Sequence, residues 1–285
     1  MLKPRTVLPA IVFAWLLPTL GAPAGAVASA SPPSASPLVI GETFTIASKI
    51  LGETRRINVY LPPAYAESPS TRLPVLYMPD GGMAEDFLHV AGLVQVSTGN
   101  GTMRPFLLVG IENTERRRDL TGPTESEEDK KIAPRVGGSG AFRAFLRQEL
   151  MPQVKARYRT TNETAIVGES LAGLFVVETF FLEPEMFDTY IAFDPSLWWN
   201  HKRLLNDAAK RLEGRPKLEK TLYFASGGDG IIEDTDRLAD ILTKNATPSL
   251  HWQYVKMPEE KHATIYHPAA LKAFRALFRP SASSR

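Results

Sequence analysis

The sequence contains no cysteine among its 285 residues. A disulfide framework, a thiolate nucleophile and a cysteine-ligated metal site are therefore all excluded. It also contains no pair of histidines at His-x-x-x-His spacing and no G-x-G-x-x-G loop. The usual sequence motifs for binding a metal ion or a dinucleotide are thus missing. The sequence therefore predicts no metal site and no cofactor.

An excess of basic charge is also missing. The chain has 33 basic and 31 acidic residues, and its first 30 residues hold two of the basic ones, Lys3 and Arg5, and no acidic one. The remainder therefore has 31 of each sign and no net charge. This balance argues against nucleic acid or an anionic membrane as a partner and favours a small molecule. No sequence pattern indicates an oligomeric state.

No hydrophobic run is long enough to suggest a membrane span. The longest, residues 7–20, has about 14 residues, whereas a spanning helix needs about 20. It follows Lys3 and Arg5 and precedes the small residues of the Ala-Ser-Ala segment at 28–30. These features predict a bacterial signal peptide at 1–30 and export to the periplasm or the medium, with an uncleaved anchor as the alternative. Residues 31–40 are predicted to be a flexible leader.

Residues 41–280 are predicted to form a single domain, because no linker or internal repeat interrupts them. Short apolar strands alternate with helices after an initial hairpin. This order indicates an α/β fold with a mostly parallel sheet, an N-terminal antiparallel hairpin and helices on both faces. The predicted strands are 43–51, 55–61, 73–78, 105–111, 164–167, 189–193, 221–225 and 250–255; the predicted helices are 141–158, 171–181, 201–212, 233–242 and 268–278.

One short stretch, IVGESLAGLF at residues 166–175, nearly matches the G-x-S-x-G turn that presents a nucleophilic serine. Ala172 replaces the last glycine. Ser170 directly follows an apolar strand and directly precedes an apolar helix, which is the required context, so we predict it as the nucleophile. The alternative is a helix-capping serine. The N–H of Leu171 is predicted to stabilise an oxyanion, with a second N–H from Gly82 in the Asp-Gly-Gly turn, unless that turn is only a connection.

A serine nucleophile needs a histidine base oriented by a carboxylate, in the chain order serine, acid, histidine. His262 lies in the loop after the last predicted strand and is the predicted base, with His267 second. Asp229 lies in the turn after the strand 221–225 and is the predicted acid. Glu233 and Asp234 are the alternatives, although acidic residues are expected in the first turn of a helix because they complement its dipole.

Longer blocks resemble the putative-esterase family of α/β-hydrolases, which includes esterase D and the enterochelin-type siderophore esterases. The resemblance extends from about residue 41 to 278 and rests on GESLAG at 168–173, VGIENTERRRDLT at 109–121, GGSGAFRAFLRQELMPQVKARY at 137–158, FDPSLWWN at 193–200 and EEKHATIYHPAALKAF at 259–274. It implies an α/β-hydrolase fold, a nucleophile at Ser170, a base at His262 and an acid in the SGGDG turn, which matches Asp229.

The resemblance also implies that Arg117 and Arg118, in the 116–118 loop, and the pair Trp198 and Trp199 lie near the substrate pocket. Taken alone, paired tryptophans more often pack in a core, and clustered arginines more often lie in a solvated loop. The polar stretch 116–140 is predicted to cross the surface over one end of the sheet.

These observations predict an exported serine hydrolase that cleaves a small carboxylic ester through a Ser-His-Asp triad and an acyl-enzyme. Three alternatives remain open: a periplasmic esterase for siderophore trilactones, an acyltransferase, and a ligand-binding relative without catalysis.

Overall fold

The computed structural model describes residues 35–215, 217–229 and 231–280. The predicted signal peptide and residues 31–34 of the predicted leader lie outside them. The described residues from Ile40 to position 280 form one compact unit. Within the described ranges, no helix combines the length and the apolar character that crossing a bilayer requires.

The centre of this unit is an eight-stranded sheet with the order β1-β2-β4-β3-β5-β6-β7-β8. Its strands are β1 (Glu42–Ser48), β2 (Glu53–Tyr60), β3 (Leu73–Pro79), β4 (Leu107–Ile111), β5 (Thr160–Glu169), β6 (Thr189–Phe193), β7 (Thr221–Gly227) and β8 (His251–Met257). The pairings β1–β2 and β2–β4 are antiparallel, and all the others are parallel. The predicted α/β-hydrolase fold, with its opening hairpin, is confirmed.

Helices cover both faces of the sheet, as predicted. They are α1 (Pro63–Glu67), α2 (Phe87–Gly99), α3 (Arg116–Asp119), α4 (Glu127–Lys131), α5 (Ser139–Phe145), α6 (Met151–Arg157), α7 (Leu171–Leu182), α8 (Trp199–Glu213), α9 (Ile232–Asn245) and α10 (Tyr266–Leu277). A π-helical turn, Leu146–Leu150, joins α5 to α6, and a 3₁₀ turn spans Pro184–Met186. The sequence analysis did not predict α2.

Two hydrophobic cores lie on opposite sides of the sheet. Successive strand residues point to opposite faces, so Ile166 of β5 joins the core under α7, whereas Val167 joins the core under α2 and α10. Both of these residues are fully buried. Burial on both faces explains why the central strands are almost continuously apolar.

The carboxyl ends of the parallel strands meet at one edge of the sheet, where ligands bind in open α/β folds. Ser170 follows β5 and Asp194 follows β6 at this edge. The polar stretch 116–140 contains the short helices α3 and α4. Its Gly122 carbonyl accepts a hydrogen bond of 2.8 Å from the indole Nε1 of Trp199 at the same edge.

Candidate active site

Ser170 occupies a sharp turn between β5 and α7. Its backbone has φ 60° and ψ −120°, a conformation that side-chain-bearing residues rarely adopt. The turn is held from both sides, because the Ser170 N–H donates to the Phe193 carbonyl at 3.0 Å and the Ser196 N–H donates to the Ser170 carbonyl at 3.1 Å. Such strain persists only where surrounding contacts impose it, and it is typical of a serine presented for attack.

Close packing explains the small residues around Ser170. A Cβ added to Gly168 would lie 2.7 Å from the Cβ of Ala172, so a glycine at 168 makes room for the alanine. A Cβ added to Gly173 would lie 2.9 Å from the Phe193 carbonyl oxygen. Gly173 therefore permits the close approach of α7 to the end of β6. The missing glycine at position 172 leaves the turn intact.

His262 lies beside Ser170, in the loop between β8 and α10. Its Nε2 is 3.0 Å from the Ser170 Oγ, and its Nδ1 is 3.1 Å from the Asp194 Oδ2. The three side chains thus form a continuous chain of hydrogen bonds in the order carboxylate, imidazole, hydroxyl. The structure places the predicted nucleophile and the predicted base within hydrogen-bonding distance of each other.

Asp194 is a fully buried carboxylate that the sequence analysis did not select. It directly follows β6, and its backbone also has a positive φ, 39°. Its Oδ1 accepts a hydrogen bond of 2.7 Å from the Gly227 N–H, and its own N–H donates to the Ala225 carbonyl. These bonds fix the carboxylate while its second oxygen faces His262.

The prediction that Asp229 orients the imidazole is therefore corrected. Asp229 is exposed, and its Oδ1 accepts a 2.8 Å hydrogen bond from the backbone N–H of His262 instead of its ring. The reason is strand order: β7, which precedes Asp229, is one strand farther from β5 than β6 is. The alternatives are not at the ring either, since Glu233 is exposed and Asp234 pairs with Lys202 at 2.7 Å.

The second-choice base, His267, is not part of this arrangement. Its ring packs against that of His89, with the centroids 5.4 Å apart. Burial and the neighbouring His89 lower the pKa of His267. In His262, by contrast, the hydrogen bond that the ring donates to Asp194 raises the pKa above its usual 6.5, against an opposing effect of burial, and the nearby Glu169 raises it further.

The two predicted oxyanion donors differ in what they contact. The N–H of Leu171 lies in the first turn of α7, where a helix offers no internal acceptor, so it is available to a ligand. The Gly82 N–H instead donates to the Glu85 Oε2 at 2.6 Å. A substrate oxygen could use Gly82 only after Glu85 moves away.

The two predicted pocket arginines also differ. Arg118 pairs with Glu53 and Asp119, both at 2.7 Å, so its charge is neutralised by protein carboxylates. Arg117 is exposed and has no ion pair within the ranges that the structure describes. It lines a cavity of about 580 Å³, which does not include Ser170. The other lining residues are Glu115, Arg116, Arg118, Ala133, Pro134 and Arg135.

The paired tryptophans likewise have separate environments. Trp199 is buried and anchored through its hydrogen bond to Gly122, which is a packing role. Trp198 is 39% exposed at the carboxyl edge of the sheet. Of the two, Trp198 is free to contact a ligand.

A second cavity lies away from Ser170, and the described residues include no metal-binding cluster. A cavity of about 750 Å³ opens at the amino ends of the strands, bordered by Tyr77, Thr160 and Arg215. Thr160 begins the strand that Ser170 follows, so this cavity is at the opposite end of the sheet. In the described part of the chain, no group of three or more histidine or acidic side chains could hold a metal ion.

Comparisons with known proteins identify relatives of this chain. Two curated relatives are each 30% identical: the Ferri-bacillibactin esterase BesA of Bacillus subtilis over 54% of this chain, and the Siderophore triacetylfusarinine C esterase of Aspergillus fumigatus over 64%. The matches span 58% and 64% of those relatives' own lengths.

Solved structures show the same similarity. An IroE-like serine hydrolase from Shewanella oneidensis aligns with a TM-score of 0.75 and 30% identity, over 84% of this chain and 80% of its own. The BES protein of Bacillus cereus has the same TM-score at 22% identity, over 88% and 100%, which supports the fold alone. The sequence model of the Putative esterase family matches residues 48–276, and the chain belongs to that family.

Proposed function

We propose that the protein is a serine hydrolase that cleaves carboxylic esters, with Ser170 as nucleophile, His262 as general base and Asp194 as the orienting acid. The observation that supports it best is the hydrogen-bonded chain from Asp194 through His262 to Ser170, with distances of 3.1 and 3.0 Å. This arrangement, on a strained turn at a helix N-terminus, fits acyl transfer and has no evident structural purpose.

In the proposed reaction, the Nδ1 proton of neutral His262 faces Asp194, and Nε2 accepts the Ser170 proton. The Ser170 Oγ forms a bond to the ester carbonyl carbon, and the carbonyl oxygen becomes an oxyanion held by the Leu171 N–H. The Gly82 N–H is the proposed second donor to this oxyanion, after the Glu85 carboxylate has moved away from it. When the tetrahedral intermediate collapses, the bond to the alcohol oxygen breaks and the imidazolium gives its proton to that oxygen.

The resulting acyl-enzyme is then attacked by water, which loses a proton to His262. The carboxylic acid departs, and Ser170 recovers its proton. If an alcohol took the place of water, the same residues would carry out acyl transfer. The acyltransferase alternative therefore differs only in which molecule, water or an alcohol, takes the acyl group from Ser170. The catalytic residues do not determine that choice.

A siderophore ester is the second, more specific candidate. The curated relatives that resemble this chain are named for the hydrolysis of siderophores, in both bacteria and fungi. Arg117, which has no ion pair among the described residues, and the exposed Trp198 would suit an anionic, aromatic ligand, through charge and through stacking. Such a substrate would also fit the proposed export of the protein, which the N-terminal sequence supports.

Hydrolysis of p-nitrophenyl esters of increasing acyl length, by wild type and by Ser170→Ala, tests the general proposal. We expect kcat of the variant to fall by about 10³-fold or more. A fluorophosphonate should label wild type at the peptide that contains Ser170 and leave the variant unlabelled. Equal rates, or labelling at another residue, would exclude Ser170 as the nucleophile.

Chromatography of ferric and iron-free enterobactin digests distinguishes the siderophore candidate from a general esterase. We expect linear trimers and monomers to appear with wild type and not with Ser170→Ala. Adding a primary alcohol separates hydrolysis from acyl transfer, since a transferase would yield a new ester. If p-nitrophenyl esters are cleaved while the trilactone survives, the siderophore candidate is wrong and the esterase proposal stands.

A further inference from the structure

Glu169 is a buried acidic residue beside the site that the proposed reaction does not use. It is the last residue of β5, directly before Ser170, and its side chain is only 15% exposed. Its Oε1 is buried and has no hydrogen-bond partner within the described ranges. A buried carboxylate oxygen without a donor is costly, so its presence calls for an explanation.

The ring of His262, which is positive only when it is protonated, is the group that can compensate the charge of Glu169. The Glu169 Oε1 lies 3.3 Å from the His262 Nε2, the same nitrogen that contacts the Ser170 Oγ at 3.0 Å. The imidazole is thus flanked by three groups, because Asp194 holds Nδ1 on its other side. Glu169 and Ser170 meet the ring at the atom that gains the proton during catalysis.

The other charged groups around Glu169 cannot replace the imidazole. The charged groups with the largest effect on Glu169 are His262 from the loop after β8, Arg116 from α3, Asp80 from the turn after β3 and Asp194 from the turn after β6. The neutral hydroxyl of Tyr266 from α10 is also close enough to be affected by Glu169. Arg116 is held by both oxygens of Asp80, at 2.7 and 2.8 Å, so most of its charge is already neutralised.

We propose that Glu169 is a positioning residue for the base: its carboxylate stabilises the imidazolium that forms when Ser170 loses its proton, and it sets the pH below which His262 stays protonated and inactive. This proposal rests on the proposed function. In the acylation step the Ser170 O–H bond breaks and the Nε2–H bond forms, so positive charge appears on a ring with carboxylates at both nitrogens. No other reactant is needed.

The titration of the two groups agrees with this role. Burial raises the pKa of Glu169 to about 7, and the positive charge of His262 counteracts that rise. In turn, Glu169 helps to raise the pKa of His262, after the larger effect of Asp194. Each group therefore affects the protonation of the other.

The pH profile of kcat/KM for Glu169→Gln tests the proposal, because glutamine keeps the shape and removes the charge. A negative charge near the ring raises its pKa, so removing that charge should lower it. The acid limb should move about one pH unit downwards. At the plateau, kcat should fall about tenfold while KM stays unchanged. Glu259→Gln, an exposed carboxylate in the same loop as His262, is the matched control and should leave the profile unchanged.

A second measurement does not depend on turnover. NMR titration of the His262 ring, assigned by comparison with His262→Gln, should give a lower pKa in Glu169→Gln than in wild type and an intermediate value in Glu169→Asp. An unchanged ring pKa would overturn the role of Glu169, even if activity were lost. Failure of the proposed function would look different, since Ser170→Ala would then retain activity whatever the ring pKa.

Discussion

The carboxylate of Asp194 lies 3.1 Å from Nδ1 of His262, and it is the acid of the hydrogen-bonded chain that ends at Ser170. Its other oxygen is fixed by the Gly227 N–H, so both oxygens are committed. Asp194 follows β6, the direct neighbour of the strand that carries the serine. The order along the chain is still serine, acid, histidine, with the acid one strand earlier than predicted.

Replacing Asp194 with asparagine should remove most of the activity without unfolding the protein. Asparagine keeps the shape, but its amide can present an N–H to Nδ1 and stabilise the wrong tautomer. We expect kcat to fall by about 10³- to 10⁴-fold. The acid limb of the pH profile should also move downwards, because the hydrogen bond that His262 donates to Asp194 is the largest cause of the raised pKa of His262.

Asp229→Asn is the matched control, since an asparagine oxygen can still accept the backbone N–H of His262. We expect kcat to change by less than about tenfold, less than the effect of removing a buried orienting acid. Initial rates with a p-nitrophenyl ester and melting temperatures of both variants would check this. A large loss in Asp229→Asn together with a small one in Asp194→Asn would contradict the assignment.

Glu85 should restrain the reaction if Gly82 is the second oxyanion donor. Its carboxylate now accepts the Gly82 N–H at 2.6 Å and the Asn113 N–H at 3.3 Å. Glu85→Ala frees the Gly82 N–H, so we expect kcat/KM to rise, by up to about tenfold. Binding of a boronic acid transition-state analogue should tighten in parallel. If kcat/KM falls while the melting temperature is unchanged, Gly82 is not a donor and Glu85 supports the turn.

The glycine after Ala172 should matter more than the alanine itself. A Cβ at Gly173 would lie 2.9 Å from the Phe193 carbonyl oxygen and 3.1 Å from the Pro195 Cα, on either side of Asp194. Because these are backbone atoms, Gly173→Ala should lower the free energy of unfolding by about 1–3 kcal/mol. It should also reduce kcat by displacing Asp194.

Two other substitutions are controls for Gly173→Ala. Ala172→Gly should keep kcat within a few-fold and cost up to about 1 kcal/mol of helix stability. In Gly140→Ala, in α5, the added Cβ would meet, among the described residues, only the Arg143 guanidinium at 3.8 Å, an ordinary contact, so the change should be neutral or stabilising. Urea unfolding and initial rates would measure all three. Equal effects of the substitutions at 172 and 173 would refute this account of the turn.

The fold was predictable from the sequence because its signals are local. The alternation of polar and apolar residues predicted the hairpin of β1 and β2, and apolar runs bounded by turns predicted the parallel strands. Helix α2 was not predicted because its apolar residues form no clear stripe: it packs against α10 and β4, but Leu88 and Val96 lie on its exposed side. The strand β5 also begins at Thr160, four residues earlier than predicted, where the residues are polar.

The site was only partly predictable, because no local stretch of sequence determines the order of the strands in the sheet. Ser170 and His262 each follow from their own surroundings in the chain. The choice of acid depends on which strand lies beside β5, and that is set by tertiary pairing. One signal was available: the FDPS segment at 193–196 places an aspartate immediately after a buried strand. The glycines around Asp229 resembled an active-site turn more strongly, yet they serve a loop that supports the backbone of His262.

An ion cluster on β2 should make stability depend on acid pH. Arg55 is fully buried and contacts Glu53 and Asp119, and Arg118 donates to both of these carboxylates. The hydrogen bond from Arg118 is the largest cause of the lowered pKa of Glu53, which is about 2. The pKa is lower in the folded state than the ordinary 4.5, so this stabilisation is present above about pH 4.5 and is lost as the pH falls towards 2.

Glu53→Gln should therefore be less stable than wild type at pH 7, by about 1–2 kcal/mol after allowance for solvent at the carboxylate. This difference in the free energy of unfolding should shrink steadily between pH 5 and pH 3. Protonation of Glu53 then removes from wild type the charge interaction that the variant already lacks. Urea unfolding at several pH values would measure it. Glu127→Gln, which removes an exposed pair with Lys130, should cost less than about 0.5 kcal/mol throughout. A difference for Glu53→Gln that stays constant from pH 7 to pH 3 would show that the residue contributes through packing rather than charge.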